Sequence, residues 1–345
     1  YVADPVTGMQ DVYFLFARSQ RNKIIIQNFL QEAPINQNCI SQTNQKIAEH
    51  WSTITNQVKS QKQSKPIRWW QSPRIIRHIN HKVCGRYLDG MSSGLTWKAK
   101  QKFKDRIPFS CGVSVGCGNG RKEIELIKQG LVKHFILYEF SEVRIKQGYD
   151  IARQFQVEDR VNFILGDAFQ VVQGQNIFDL VHWNNSLHHM LDVDSALKWS
   201  SQVLKSGGLF YMDDYVGENR LHFSQKTSEI ASKIRNFLPK KYLKNPQQPS
   251  ALVPREVSPP DADRVKAKDP SEAPDSKRIL PCIYKYFPNA EIVKTGGAIY
   301  STALEDIISN FEEDQDGFLL DILMLLDLLL ADSNENRYAA VLAIK

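Results

Sequence analysis

At 345 residues and 39.5 kDa, with 42% apolar and 10% aromatic residues, the chain has the make-up of a globular protein with one large domain or two small ones. Its net charge of +6 is uneven: residues 1–110 hold 17 Lys and Arg against 6 Asp and Glu, the remainder 27 against 32. The longest apolar run, "FLLDILMLLDLLLA" (318–331), is broken by Asp321 and Asp327 and falls short of the roughly 20 apolar residues a membrane span needs. The five cysteines form no CxxC pair, which argues against a zinc site and for a reducing, cytoplasmic setting.

The chain opens on Tyr1, so an upstream start is expected, and the first residues carry no signal-peptide pattern. Residues 1–65, rich in Gln and Asn, read as a weakly patterned N-terminal arm. From residue 66 to 108 the aromatic density rises, with Trp69, Trp70, Ile75, Ile76, Ile79 and Val83 near helical spacing. These residues predict a helical cap over a cofactor, its tryptophans more in the core than on a ligand. Beyond it the texture alternates. Short apolar runs at 111–116, 134–140, 160–169, 178–183 and 209–216 read as strands. Helical stretches at 121–130, 142–156 and 193–208 separate them, the last ending at Gly207-Gly208. Single helices between strands imply right-handed βαβ units and a parallel, doubly wound sheet. Residues 217–288 break the rhythm with a helix-like stretch and a segment dense in Pro and charge, the pattern of a lid or substrate insert. Residues 289–345 then supply a strand, the apolar helix and a closing strand.

The motif "VSVGCGNG" (113–120) sets Gly116, Cys117, Gly118, Asn119 and Gly120 between a buried strand and a helix. Glycines there let the backbone turn and let a ligand sit against main-chain N–H groups. Glu139 ends the second strand 19 residues past Gly120, where a carboxylate accepts from ribose hydroxyls. Asp167, in "GDAF", ends the third strand and suits an adenine amine. Two cofactors fit this geometry. A nicotinamide dinucleotide expects G-x-G-x-x-G, whereas the third glycine here comes one residue early.

The set "VSVGCGNG", "LYEFS", "LGDAF", "FDLVHWNNSLHHM" and "LKSGGLFYMDD", covering about residues 109–216, resembles the class I S-adenosylmethionine-dependent methyltransferases, of small-molecule type. The resemblance implies an α/β, Rossmann-like, seven-stranded sheet whose last strand is antiparallel. It also implies methionine held by the glycine loop, ribose at Glu139 and Phe140, adenine at Gly166, Asp167 and Ala168, and further contacts from Asn184 and Asn185. The family usually has an acid two residues before the first glycine; this chain departs from it there with Ser114, which bears on that one local contact.

Methyl transfer is an in-line displacement, so positioning does much of the work, and an oxygen or nitrogen acceptor must lose a proton. The loop after the fourth strand, Asn184 to His189, faces the methyl group in the family pattern. His189, and next to it His188, are the candidate base or acceptor contact, with a structural histidine as the bland alternative. No metal is expected, since a pairing of either histidine with Asp213 or Asp214 has no ligand spacing behind it. The loop lacks the (D/N/S)-P-P-(Y/F/W) motif of base-amine methylation and the Pro-Cys nucleophile of pyrimidine chemistry. The expected acceptor is therefore a small molecule, most simply a hydroxyl of a sugar or natural-product intermediate. An RNA or protein methyltransferase using the basic N-terminal region, and a non-catalytic cofactor-binding partner, are the competing readings. Nucleic acid and membrane are disfavoured as partners; a homodimer stays open.

Overall fold

The computed structural model describes residues 46–53, 55, 68–172, 174 and 176–345; most of the expected N-terminal arm lies outside them. Residues 46–53 are helical. Helices α1 (Pro73–Cys84) and α2 (Ser93–Lys102) come next, and Asn80 ties them by donating to the carbonyls of Leu88 and Gly90 while accepting from Gly94 N.

The alternation then becomes structure. The order is β1 (Phe109–Val115), α3 (Arg121–Lys128), β2 (Val132–Glu139), α4 (Glu142–Gln154), β3 (Val161–Leu165), α5 (Ala168–Val171), β4 (Phe178–Asn184), α6 (Val193–Val203) and β5 (Leu204–Tyr215). The insert contributes α7 (Gln225–Phe237), a small hairpin of β6 (Lys244–Asn245) and β7 (Gln248–Leu252), α8 (Ala262–Lys268) and α9 (Ile279–Tyr286). Strand β8 (Glu291–Gly297), α10 (Glu313–Asp332) and β9 (Asn336–Ile344) close the chain.

The seven strands lie in the order β3-β2-β1-β4-β5-β9-β8. β1 to β5 are parallel, and β9 runs antiparallel to both neighbours, with Met212 opposite Val341 and Val293 opposite Ala340. This is the expected doubly wound sheet with its last strand reversed. Side chains alternate across it: on β4, Val181 and Trp183 join the layer under α6 and α9, and Leu180 joins the layer under α2, α3 and α4. A third apolar cluster joins Trp69, Ile75 and Ile76 to Tyr300, Leu320 and Met324, so the 66–108 region packs on α10 and the loop after β8.

Two predicted elements differ. The helix read over 193–208 stops at Val203, and β5 already begins at Leu204. Gly207, at φ 75°, and Gly208 exchange backbone hydrogen bonds with Lys345, so the glycines bend a strand rather than cap a helix. The apolar run extends to a helix of 20 residues, and its two acids have inward tasks. Asp321 pairs with Arg74 and His78 on α1. Asp327, fully buried and raised to about 6 by that burial, accepts from Gly297 N and Ile299 N at the end of β8. Among the described residues no helix is long and apolar enough to cross a membrane.

Candidate active site

Parallel strands of a doubly wound sheet leave a crevice at their carboxyl ends. Here it is a cavity of about 340 Å³ bordered by Gly116 after β1, Glu139 and Phe140 after β2, and Gly166, Asp167 and Ala168 after β3. Asn185, Ser186 and His189 after β4 border it too. That volume lies in the range of small-molecule and cofactor sites, roughly 300–1,000 Å³.

The glycine loop has the backbone its sequence suggests. Gly116, Gly118 and Gly120 all sit at φ between 61° and 65°, a region that side chains with a Cβ rarely adopt. Gly120 is doubly constrained, because a Cβ there would lie 2.6 Å from the Phe163 ring. Glu139 holds the loop in place. One carboxylate oxygen accepts from Gly118 N at 2.8 Å, and the other from Phe140 N and Ser141 N at 3.0 Å each. Burial nonetheless raises its pKa, against the opposing pull of Arg144 and the three N–H groups. A carboxylate already fixed by backbone donors, with its side chain on the cavity wall, is preorganised to receive hydroxyl groups.

Ser114 is bonded to a buried acid on an adjacent helix. Ser114 Oγ donates to Glu123 Oε1 at 2.8 Å, and His182 Nδ1 bonds the same oxygen at 2.8 Å. All three are buried beneath the glycine loop. Burial would raise the Glu123 pKa, but the His182 and Ser114 contacts win and lower it.

The histidine loop divides its two imidazoles. His189 lines the cavity; its Nδ1 donates to the Ser271 carbonyl at 3.0 Å, which leaves Nε2 as a lone-pair acceptor. Burial first, and then the charge of His188, push its pKa down to about 3, so it is neutral. His188 is turned inward. Its Nδ1 donates to Asp214 Oδ1 at 2.5 Å, and its Nε2 lies 3.5 Å from Glu272 Oε1. Burial alone would lower the His188 pKa; the Asp214 carboxylate more than reverses that and raises it. Asp214 in turn accepts from Ser186 N, Leu187 N and Tyr215 N, so it also shapes the loop.

The expected cofactor residues thus fall into two groups. Gly116, Glu139, Phe140, Gly166, Asp167, Ala168 and Asn185 border the cavity with His189. Cys117, Gly118, Asn119 and Gly120 form the loop behind Gly116. Asn184 points elsewhere: it accepts from the half-buried Lys122 Nζ at 2.5 Å and donates to Ser92 Oγ at 3.0 Å. Asp213, its neighbour across β5, accepts from Ser92 Oγ. Trp69 packs on Tyr300 and Tyr338, with ring centroids 4.6 and 5.0 Å away, and does not cover the cofactor cavity. The cover expected of 66–108 comes instead from Ile47 and Trp51. Trp51 lies under the Arg144 guanidinium at 4.2 Å and edge-on to His189 at 5.2 Å. Its neighbours Ser52 and Thr55 bond Ser141 and Arg144. The other residues that sequence reading misses, Ser271 and Glu272, sit in the insert. The stretch "DPSEAPDS" (269–276) buries Asp269, Ser271, Ala273 and Ser276, and its density of small polar residues is the one signal it carries.

Sheet order and cavity are those of a Rossmann-like α/β fold with a ligand-sized crevice at the carboxyl ends of its parallel strands. Residues 113–251 match a family described as a methyltransferase domain. The chain is similar to 27-O-demethylrifamycin SV methyltransferase of Amycolatopsis mediterranei, 29% identical over 136 residues, covering 38% of this chain and 50% of that protein. It is also similar to the ubiquinone/menaquinone biosynthesis C-methyltransferase UbiE of Pasteurella multocida, 25% identical over 179 residues, covering 48% and 62%. The chain therefore spans between half and two thirds of these curated relatives. Among solved structures it is similar to the [4+2]-cyclase SpnF at 15% identity and a TM-score of 0.46, covering 88% of this chain and 97% of that one.

Proposed function

We propose that the chain transfers a methyl group from S-adenosylmethionine to an oxygen of a small molecule, a hydroxyl of a sugar or natural-product intermediate. The observation that carries this reading is His189, a neutral imidazole on the wall of the cavity that Glu139 and Asp167 also border, whose Nε2 bonds nothing among the described residues. The bound cofactor supplies a sulphonium-activated methyl group. Glu139 would receive the ribose hydroxyls, Asp167 and Ala168 would hold the adenine, and the Gly116 turn would let the methionine end approach the backbone. Trp51 and Ile47 line the cavity beside Arg144 and His189.

On the acceptor side, His189 takes a hydrogen bond from the acceptor hydroxyl and orients its oxygen toward the methyl carbon. A hydroxyl held on His189 Nε2 would give its proton to that nitrogen as its oxygen takes the methyl group, with the demethylated cofactor as leaving group. Asp214 gives His188 the greater basicity of the two. A carbon acceptor is the runner-up, because two relatives are named C-methyltransferases; it would still need a proton removed. Incubation with S-adenosylmethionine and fractionated small metabolites tests the proposal. The expected product gains one CH₂ in mass and carries the methyl on oxygen by NMR. Methylation of RNA or protein with no small-molecule product would remove it, and salt-sensitive retention of RNA on a filter would point the same way.

A further inference from the structure

The histidine pair has a third member that neither the donor cavity nor the fold requires. One ligand atom from each of His188, His189 and Glu272 lies within 4.8 Å of the other two, the one such group among the described residues. Glu272 comes from the insert, far from the histidines in sequence. We propose that these three side chains bind a divalent cation of the imidazole-preferring kind, such as zinc, manganese or cobalt, and that the cation holds the acceptor oxygen. The proposal rests on the reading that the acceptor meets the methyl group at this wall.

Three features set the cluster apart from a chance meeting of polar groups. Each imidazole has its Nδ1 tied to a fixed acceptor, His188 to the Asp214 carboxylate and His189 to the Ser271 carbonyl. Metal-bound histidines usually have this support, which fixes the ring and leaves Nε2 for the ion. The His188 Nε2 is already 3.5 Å from the Glu272 carboxylate without meeting hydrogen-bond geometry, and the His189 Nε2 bonds nothing among the described residues. Finally, carboxylates crowd the site. Asp269, 5% exposed, has one carboxylate oxygen without a hydrogen bond, 3.5 Å from His50 Nε2. Its charge reaches both His189 and Glu272.

Two imidazoles and one carboxylate favour zinc, manganese, iron or cobalt over magnesium or calcium, which prefer all-oxygen sites. Three protein ligands leave positions open for an acceptor oxygen. A hydroxyl bound there is acidified, and its proton passes to water at the cavity mouth before the oxygen takes the methyl group. In that state the imidazoles serve as ligands rather than as the base. An acceptor with two adjacent oxygens, as in a sugar diol or a catechol, would fill two open positions. That narrows the substrate class to chelating hydroxyl compounds.

Cobalt titration of the full chain, followed by visible absorption and by calorimetry, tests this without reference to turnover. The expected result is one cobalt ion per chain with a ligand-field band of low coordination number. Glu272→Gln and His189→Ala should each abolish that band. Asp214→Asn should weaken binding by about tenfold or more while retaining the ligands. Circular dichroism checks that each variant folds, and Glu272→Gln keeps the shape should His189→Ala not. Absence of the band at millimolar cobalt, or equal uptake by the wild type and Glu272→Gln, overturns the proposal. If no cation binds while His189→Ala still stops methyl transfer, the cation fails and the imidazole reading stands. If the cation binds but no hydroxylated compound is ever methylated, the reverse holds.

Discussion

On the proposed function, the donor half and the acceptor half of the cavity are built in opposite ways. The donor half is local: Gly116, Glu139 and Asp167 lie at the ends of three strands, and each is fixed by its own turn or by the next strand's. The acceptor half is assembled from distant pieces. Trp51 comes from the N-terminal helical segment, His189 from the loop after β4, and Ser271 from the insert, where the next residue, Glu272, lies against His188. A donor site made of neighbouring strand ends follows from the sheet alone. An acceptor site made of remote segments can change its specificity without disturbing the sheet.

Variants on either side should therefore fail differently. The largest effect is expected for His189→Ala, which should slow turnover by roughly 10²–10⁴ while leaving S-adenosylmethionine affinity unchanged. Single-turnover kinetics beside calorimetry of the cofactor reads both. An equal loss in cofactor affinity would erase the distinction between the halves.

Asp214→Asn should come next, costing about 3 kcal/mol of stability by stranding a buried imidazole. Its pH dependence has a definite sign. Asp214 has a lowered pKa, so its contribution is present above the ordinary carboxylate range and fades as pH falls through the lowered value. His188 has a raised pKa, so its contribution is full below the ordinary histidine value and is lost as pH rises through the raised one. The gap between wild type and variant in urea melts should be widest between the ordinary carboxylate and histidine ranges, at about pH 5–6, and shrink on both sides. A gap that stays constant with pH would contradict the pairing.

On the donor side, Glu139→Ala should weaken cofactor binding by about 2 kcal/mol, since three backbone N–H groups lose their acceptor as well as the ligand losing a contact. Calorimetric titration with S-adenosylhomocysteine measures this, and an unchanged affinity would deny Glu139 its role. The smallest effect is expected from Trp51→Ala, about 1 kcal/mol, through loss of cover and of the stacked Arg144. It should appear in both cofactor and acceptor affinities, because Trp51 reaches both sides.

The same contrast separates what is legible in the residues from what only the fold supplies. The glycine turn, Glu139 and Asp167 are legible because strand periodicity places them and their chemistry is local. The reversed last strand is not in the residues themselves but in the family they resemble. Ser114 looks like a gap because its partner, Glu123, stands on another element and only the fold brings the two together. Trp69 and Trp70 stand out by density, while the tryptophan that covers the cavity, Trp51, lies in a stretch with weak pattern. The 193–208 helix reads too long because Gly207-Gly208 resembles a helix stop; the strand that bonds those glycines, β9, arrives only at the end of the chain. Glu272 and Ser271 carry no motif, only an uncommon cluster of small polar residues in a Pro-rich insert.

At the centre stands the proposal that His189 handles a small-molecule hydroxyl. Methyl-labelled S-adenosylmethionine, presented with a panel of sugars and hydroxylated natural products, measures it most directly. Label should appear as an O-methyl resonance in the wild-type product and vanish with His189→Ala. Label on carbon, or transfer undiminished in that variant, would contradict this role.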